Sequence, residues 1–577
     1  MRSILLHIVL LSVVVCLPLL PNTPSSSADS IQFIGGEMLG RPTDHTIALN
    51  ICTDKDVEAF IEYGTQPNSF TQQSSKFNCV SNVPVTVTLT GLLPDTKYIY
   101  RVRWRFSGST EFASRPEHSF HTARPNGRPF SFAIEADPHL DTSTNPILLK
   151  RTFTNILAGD SDFMLDLGDT FMSDKLPVIN QAEVLKRNLL LRTVYDTVCH
   201  SVPLMMVQGN HDGELGWLLN GTANTLPVWA ANIRKSYYPQ PFPDGFYTGD
   251  TTNALFVGQR QNYYAWEWGN ALFIVLDPYW YTVKKPGATK NNWDWTLGKT
   301  QYDWFRKTLM NSKADFKFVF AHQIVGGIDA EGRGGIEGVP FYEMGGMNSD
   351  STNGFSVNRP GWEMPLHQLM SKYHVSAFFH GHDHIFVKQD HDGIVYQELP
   401  QPGYFNYSSP DKSYNNTGIA SAYGYTHGTV LSSSGYLKVT VSDTSAIVDY
   451  IRTYMPEHEN ANRKNGTVAH SYVIKKNVTG VPSASFNSHP SGFLLHQNYP
   501  NPFNPVTTIR YSVPNSSRVT VSVRNILGQE VSRLVDGNIE PGTYSVTWDG
   551  SAVSSGIYFC TIASGGFRST IKMILLK

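Results

Sequence analysis

Between Phe130 and Phe379 short apolar runs alternate with stretches of helical spacing, a pattern that restricts this segment to an α/β domain. The runs are Phe130–Ile134, Phe163–Leu167, Val202–Val207, Ala271–Leu276, Phe316–Phe320 and Val375–Phe379. Helical spacing is found over Ile147–Leu157, Ala182–Leu191, Thr300–Met310 and Pro365–Lys372. Strands of such domains hold ligands beyond their carboxyl ends, so the residues that follow each run are the ones to inspect.

Five of these ends carry metal-type side chains. Asp137 and His139 follow the first run, Gly168-Asp169 the second, and Gly209-Asn210-His211-Asp212 the third. His322 follows Phe320-Ala321, and Gly381-His382-Asp383-His384 follows the last. Carboxylate and amide oxygens suit hard divalent ions, imidazoles suit borderline ones, and a histidine beside them suits proton transfer. Each piece alone has an ordinary explanation as a turn, a cap or a core histidine. Their recurrence behind successive apolar runs does not.

The flanks are of another kind. Ile31–Ala123 alternates apolar and polar residues in short runs, as in Val57–Tyr63, Val85–Leu89 and Lys97–Val102, which predicts an antiparallel sandwich. Arg124–Arg128 is a polar linker, and Gly326–Asn353, rich in glycine, acid and amide, predicts a long loop beside the strand ends. Tyr436–Tyr454 and Ala469–Ile474 return to strand alternation and close the α/β domain. Val481–Gly492 is a Ser/Pro-rich linker, and the remainder is all-β. A chain of 577 residues with 16% charged residues and a net charge of −2 carries several cores and no basic run, which excludes nucleic-acid binding by bulk charge.

Arg2 followed by apolar Ile4–Leu20 and then Ser26-Ser27-Ala28 predicts a signal peptide cleaved after Ala28, with no membrane span once it is removed. Cys52 and Cys79 fall in one β-rich segment of an exported chain, which leaves room for a disulfide. Cys199 and Cys560 are expected to stay unpaired, and the cysteines form no zinc-type cluster.

Asp137-Pro138-His139, Gly168-Asp169, Gly209-Asn210-His211-Asp212, His322 and Gly381-His382-Asp383-His384 together resemble the motif blocks of the calcineurin-like metallophosphoesterases. The resemblance spans about Phe130 to Ile474 and implies a two-sheet α/β sandwich with a dinuclear metal centre. It implies that Asp137, His139 and His384 bind one ion, that Asn210, His322 and His382 bind the other, and that Asp169 bridges them. His211 would stand by the scissile phosphate without binding metal, and Asp212 would either orient His211 or cap its turn. Two divalent ions about 3.5–4 Å apart repel by on the order of 20 kcal/mol at an effective dielectric near ~20, which a bridging carboxylate and hydroxide offset. The bridging hydroxide would be the nucleophile for phosphomonoesters; a phosphodiesterase or nucleotidase of the same fold is the alternative, and a catalytically degenerate surface-binding protein a more distant one.

Purple acid phosphatases are similar in joining a fibronectin-like domain to this catalytic fold, and Leu89–Tyr98 resembles a fibronectin type III turn. They carry a metal-binding Tyr three residues after the Gly-Asp aspartate, where this chain has Met172. A thioether is a poor ligand for a ferric ion, so no iron–tyrosinate centre is expected, and Fe, Mn or Zn in divalent or mixed-valence pairs stay open. Asn498–Pro505 with Thr507-Thr508-Ile509, then Ile526–Val531, Gly542-Thr543-Tyr544, Trp548-Asp549-Gly550 and Ser555–Tyr558, resembles a type IX secretion sorting domain. That resemblance implies the type IX secretion machinery as a partner and release from, or display on, a Gram-negative cell surface.

The expected organisation is therefore multidomain: signal peptide 1–28, fibronectin-like β-sandwich 29–125, metallophosphoesterase domain 126–478, linker 479–492 and C-terminal β-sandwich sorting domain 493–577.

Overall fold

A computed structural model of the chain describes residues 30–140, 144–404, 418–476, 492–498 and 501–577. The expected signal peptide and most of the second linker lie outside the described residues.

Two sheets stack face to face at the centre. The first has six strands in the order Leu204–Met206, Phe163–Asp166, Phe130–Glu135, Gly435–Val441, Ser445–Arg452, Val468–Lys475. Its first three strands are parallel, and the last three continue it antiparallel. The second has eight, with Ala271–Val275, Phe316–Phe320, Ala377–His380 and Ile394–Glu398 as parallel neighbours at its middle. These strands bury both faces, which is why they read as unbroken apolar runs. Between the sheets, Phe132 and Phe163 meet Phe273, with ring centroids 5.0 and 5.2 Å apart in edge-on packing, and Phe318, Phe320 and Phe379 extend the same layer.

Helices cover the outer faces. Pro146–Ala158 begins where the Asn145 side chain accepts from the amides of Ile147 and Leu148, with Pro146 at its first turn. It lays Leu148, Leu149, Phe153 and Ile156 toward the first sheet. Gly298–Asn311 does the same for the second sheet with Tyr302, Phe305 and Leu309. Both sheets therefore aim the carboxyl ends of their parallel strands at one rim, where the metal-type residues are.

The N-terminal β domain is built on two sheets, one of Phe33–Gly40, Ile47–Thr53 and Val85–Leu89, the other centred on Val57–Gly64 and Lys97–Arg105. At the expected turn the Leu93 amide donates to the Tyr98 hydroxyl at 2.9 Å. Its core holds Cys79, and Cys52, Cys79, Cys199 and Cys560 are all buried free thiols, so the structure carries no Cys52–Cys79 bond. The C-terminal domain is again two-sheeted, around Ile509, Val521, Trp548 and Met573. Among the described residues no helix is long and apolar enough to cross a membrane.

Candidate metal centre

Each strand end delivers its residues through a backbone that ordinary turns avoid. Asp137, His139, Asp169, His382 and His384 all have positive φ, between +41° and +84°. Such conformations cost about 1–3 kcal/mol each for residues with a Cβ, and five together mark a rim held in place by its surroundings. Two glycines let the loops meet. A Cβ on Gly209 would lie 2.3 Å from Asp169 Oδ1, and one on Gly381 would lie 2.5 Å from Asp137 Oδ2.

The side chains converge as two groups. Asp137, His139 and His384 form one, and Asp169, His322 and His382 the other. In the first, His139 Nε2 and His384 Nε2 face each other at 3.0 Å, at 3.6 and 3.5 Å from Asp137 Oδ1. In the second, His322 Nε2 lies 3.1 Å from Asn210 Oδ1, 3.3 Å from His382 Nδ1 and 3.2 Å from Asp169 Oδ2. Asp169 Oδ2 also lies 3.8 Å from His139 Nε2, which puts this carboxylate between the groups.

The donor set suits a pair of cations. Asp137 Oδ1 is buried with no hydrogen-bond partner among the described residues, although three imidazole nitrogens surround it. Imidazole nitrogens this close need a proton or a cation between them. The outer nitrogens are already fixed: His322 Nδ1 faces the Leu167 carbonyl at 2.9 Å and His382 Nε2 the Glu331 carbonyl at 3.0 Å. These contacts set the tautomers that leave the inner lone pairs free. His139 Nδ1 rests 3.0 Å from Met172 Sδ, so the residue standing at the tyrosine position of purple acid phosphatases packs on a ligand-type imidazole.

The electrostatics agree. Burial alone would raise Asp169, but His322 and His211 beside it hold its carboxyl far below the usual range, and His384 and His322 do the same for Asp137. Burial would lower His322, yet Asp169 and Asp137 raise it to about 10. Negative charge at this rim thus seeks cations strongly enough to overcome complete burial.

His211 lies apart from both groups, with its ring 6.0 Å from that of His139. Its Nδ1 contacts Asp174 Oδ1 at 2.6 Å, while Lys175 Nζ stands 3.5 Å from Nε2. Burial would lower this imidazole, but Asp169 and Asp174 raise it. The sequence offered Asp212 either as the residue orienting His211 or as the cap of its turn, and its hydrogen bonds are of the second kind. Asp212 accepts from the amides of Gly209, Asp169 and Thr170 and from the Thr170 hydroxyl, at 2.7–3.0 Å, tying the second and third loops together. Asp174 is the carboxylate on the His211 ring. It follows Gly168-Asp169 by five residues, and that proximity to a site aspartate was the only sequence signal for it.

Two further sets of contacts escaped the sequence, although the long loop carrying Arg333, Glu337 and Tyr342 was expected beside the site. Below the rim, Tyr195 Oη bridges Glu135 and Asp166 at 2.6 and 2.7 Å; burial raises both carboxyls, helped by the charge of Asp166 on Glu135 and by that of Asp212 on Asp166, which rises to about 7. Above it, Asp383 accepts from the Gly334 amide and the Tyr425 hydroxyl, each at 2.8 Å, which anchors the long loop. On that loop Arg333 stacks on Tyr423 at 4.8 Å, whereas Glu337 is engaged by Gln389 and Thr426, and Tyr342 packs edge-on against Trp293.

Comparison with known proteins places the chain beside phosphoesterases. Residues 130–386 match the calcineurin-like phosphoesterase family, and residues 497–576 match the secretion system C-terminal sorting domain. Human tartrate-resistant acid phosphatase type 5 is 23% identical over 352 residues, covering 60% of this chain and 86% of the relative. Among solved structures, that of PhoD superposes with a TM-score of 0.56 at 15% identity, covering 78% of this chain and 92% of PhoD, a likeness of fold.

Proposed function

We propose that this chain, which carries a calcineurin-like phosphoesterase domain and a C-terminal secretion sorting domain, is an exported phosphomonoesterase with a dinuclear metal centre. The observation that supports this most is Asp169, one oxygen of which lies 3.2 Å from His322 and 3.8 Å from His139, members of separate ligand groups. In this reading Asp137, His139 and His384 would hold one ion and Asn210, His322 and His382 the other, with Asp169 shared between the two groups. When bound, such a pair supplies a water of lowered pKa and a positive clamp for phosphoryl oxygens. With Met172 in place of a tyrosine, divalent Mn, Fe or Zn suits the set, and no strong visible charge-transfer band is expected.

The chain's own groups do the rest. Asp174 holds Nδ1 of His211, which leaves Nε2 to donate its proton to the leaving alkoxide or to a phosphoryl oxygen. Lys175 adds a second cation at 3.5 Å from that nitrogen, which favours the dianionic phosphate of a monoester over the monoanion of a diester. Arg333, on the loop anchored by Asp383, stands near enough to His382 to lower it and adds a fixed positive charge. The signal-like leader and the sorting domain suit handling by type IX machinery and a destination outside a Gram-negative cell.

A panel of phosphomonoesters, phosphodiesters and nucleotides, run on purified protein with metal analysis, tests the reading. Monoesters are expected to turn over fastest, and Asp169→Asn is expected to lose metal and activity together. Preference for diesters or nucleotides would move the assignment within the fold, and an Asp169→Asn protein with both ions and full turnover would refute it.

A further inference from the structure

The ligand-type imidazoles are not all held in the same way. His322 and His382 each set the nitrogen remote from the site against a backbone carbonyl, at 2.9 and 3.0 Å. His139 sets its remote nitrogen against a thioether. Its Nδ1 lies 3.0 Å from Met172 Sδ, while its Nε2 lies 3.6 Å from Asp137 Oδ1 and 3.0 Å from His384 Nε2. A thioether carries no hydrogen and can only accept one. The hydrogen in this contact is therefore the imidazole's own, on Nδ1, and the lone pair of the neutral ring stays on Nε2. Because the sulfur meets the far nitrogen, Met172 stands behind the ligand rather than beside it.

The place of the sulfur is built into the backbone. Met172 is buried and precedes the single 3-10 turn Ser173–Lys175, where the Lys175 amide donates to the Met172 carbonyl at 3.0 Å. The Ser173 amide donates to the His211 carbonyl at 2.9 Å. The His139 and Leu140 amides donate to the carbonyls of Asp169 and Thr170 at 3.1 and 3.0 Å, which pins the loop bearing His139 to the one bearing Met172. Two residues on, Asp174 holds His211 at 2.6 Å. One short segment thus positions two imidazoles of the site.

We propose that Met172 is a positioning residue, which fixes the His139 tautomer through an N–H···S contact and so sets how tightly the ion of Asp137, His139 and His384 is held. The inference rests on the dinuclear reading above. A partner that accepts the outer hydrogen of an imidazole makes its inner nitrogen the better donor, and loss of such a partner costs about 10- to 100-fold in metal affinity. A thioether is a weak acceptor, so it belongs at the low end of that span, and a carbonyl in its place would raise the affinity. The residue at the tyrosine position of purple acid phosphatases therefore acts here on an imidazole and not on an ion.

The test uses the full chain, loaded with Zn²⁺, incubated with graded chelator, desalted and counted for zinc per chain. Met172→Leu keeps the apolar volume and removes the acceptor, whereas Met172→Gln supplies a side-chain carbonyl on an unbranched stem. The wild type is expected to lose its two ions in separate steps. Leu should move one step to about tenfold lower chelator, Gln should move the same step to higher chelator, and the other step should stay in place. A residue that only fills space would leave the Leu variant like the wild type and make Gln the weaker binder. Two ions in the wild type with the Leu variant unmoved, or with Leu and Gln shifting the step the same way, would overturn this inference and leave the dinuclear reading standing. Fewer than two ions in the wild type would overturn both.

Discussion

Replacing Asp174 with Asn removes the charge from the partner of His211 while keeping its shape. The contact at 2.6 Å is charge-assisted, and its loss costs about 1.5–3 kcal/mol. If that stabilisation serves the protonated imidazole in the transition state, turnover falls about 10- to 150-fold at ~1.36 kcal/mol per decade. The pH profile carries a second signature. The folded protein holds His211 above its usual pKa, so the protonated acid persists to higher pH and is lost as pH rises through the raised value. In Asp174→Asn the alkaline limb of kcat should therefore move to lower pH, with the acid limb unchanged. Stopped-assay kinetics across pH on a monoester, with metal content measured on the same samples, reads both effects. Unchanged turnover with an unmoved alkaline limb would refute the acid role of His211, and loss of metal would show that Asp174 supports the ligand set instead.

Three further outcomes are expected. His211→Ala should slow turnover about 10²- to 10⁴-fold, the span of general acid–base catalysis, with metal content nearly unchanged. Asp212→Ala removes the acceptor of four bonds and should lower stability by about 3 kcal/mol or more in denaturant titrations, with metal content falling as the Asp169 loop loosens. In the N-terminal domain, burial and the stacked His200 hold His118 at about 4, below the usual 6.5, with Glu37 and Arg115 beside it. A depressed imidazole contributes stability above the unfolded pKa that is lost as pH falls through that window, here on the order of 2–3 kcal/mol. Metal-chelated wild type should thus melt progressively lower between about pH 6.5 and 4, and His118→Gln should flatten that slope.

The α/β core and the candidate ligand groups were legible because each strand is buried on both faces and each metal-type residue sits within a few residues of a strand end. Phe130–Glu135 and Asp137 are one such pair, and Phe316–Phe320 and His322 another. What stayed hidden depends on contacts between distant segments. Asp212 lies next to His211 in sequence yet bonds Asp169 and Thr170 across the rim, while Asp174 reaches His211 from another loop. Tyr195 sits in a helix whose spacing says only that it is buried, not that its hydroxyl joins Glu135 to Asp166. One missed element did carry a signal. Tyr264–Trp268 and Ala271–Val275 flank Gly269-Asn270, a two-residue hairpin turn that adds an antiparallel strand to the second sheet.

The central claim is a pair of ions joined through Asp169. Anomalous difference maps from crystals of the metal-loaded protein test it most directly. The account predicts two peaks at the rim about 3.5–4 Å apart, one beside Asp137, His139 and His384 and the other beside Asn210, His322 and His382, with Asp169 touching both. A single rim peak, or a pair that Asp169 does not bridge, would contradict it.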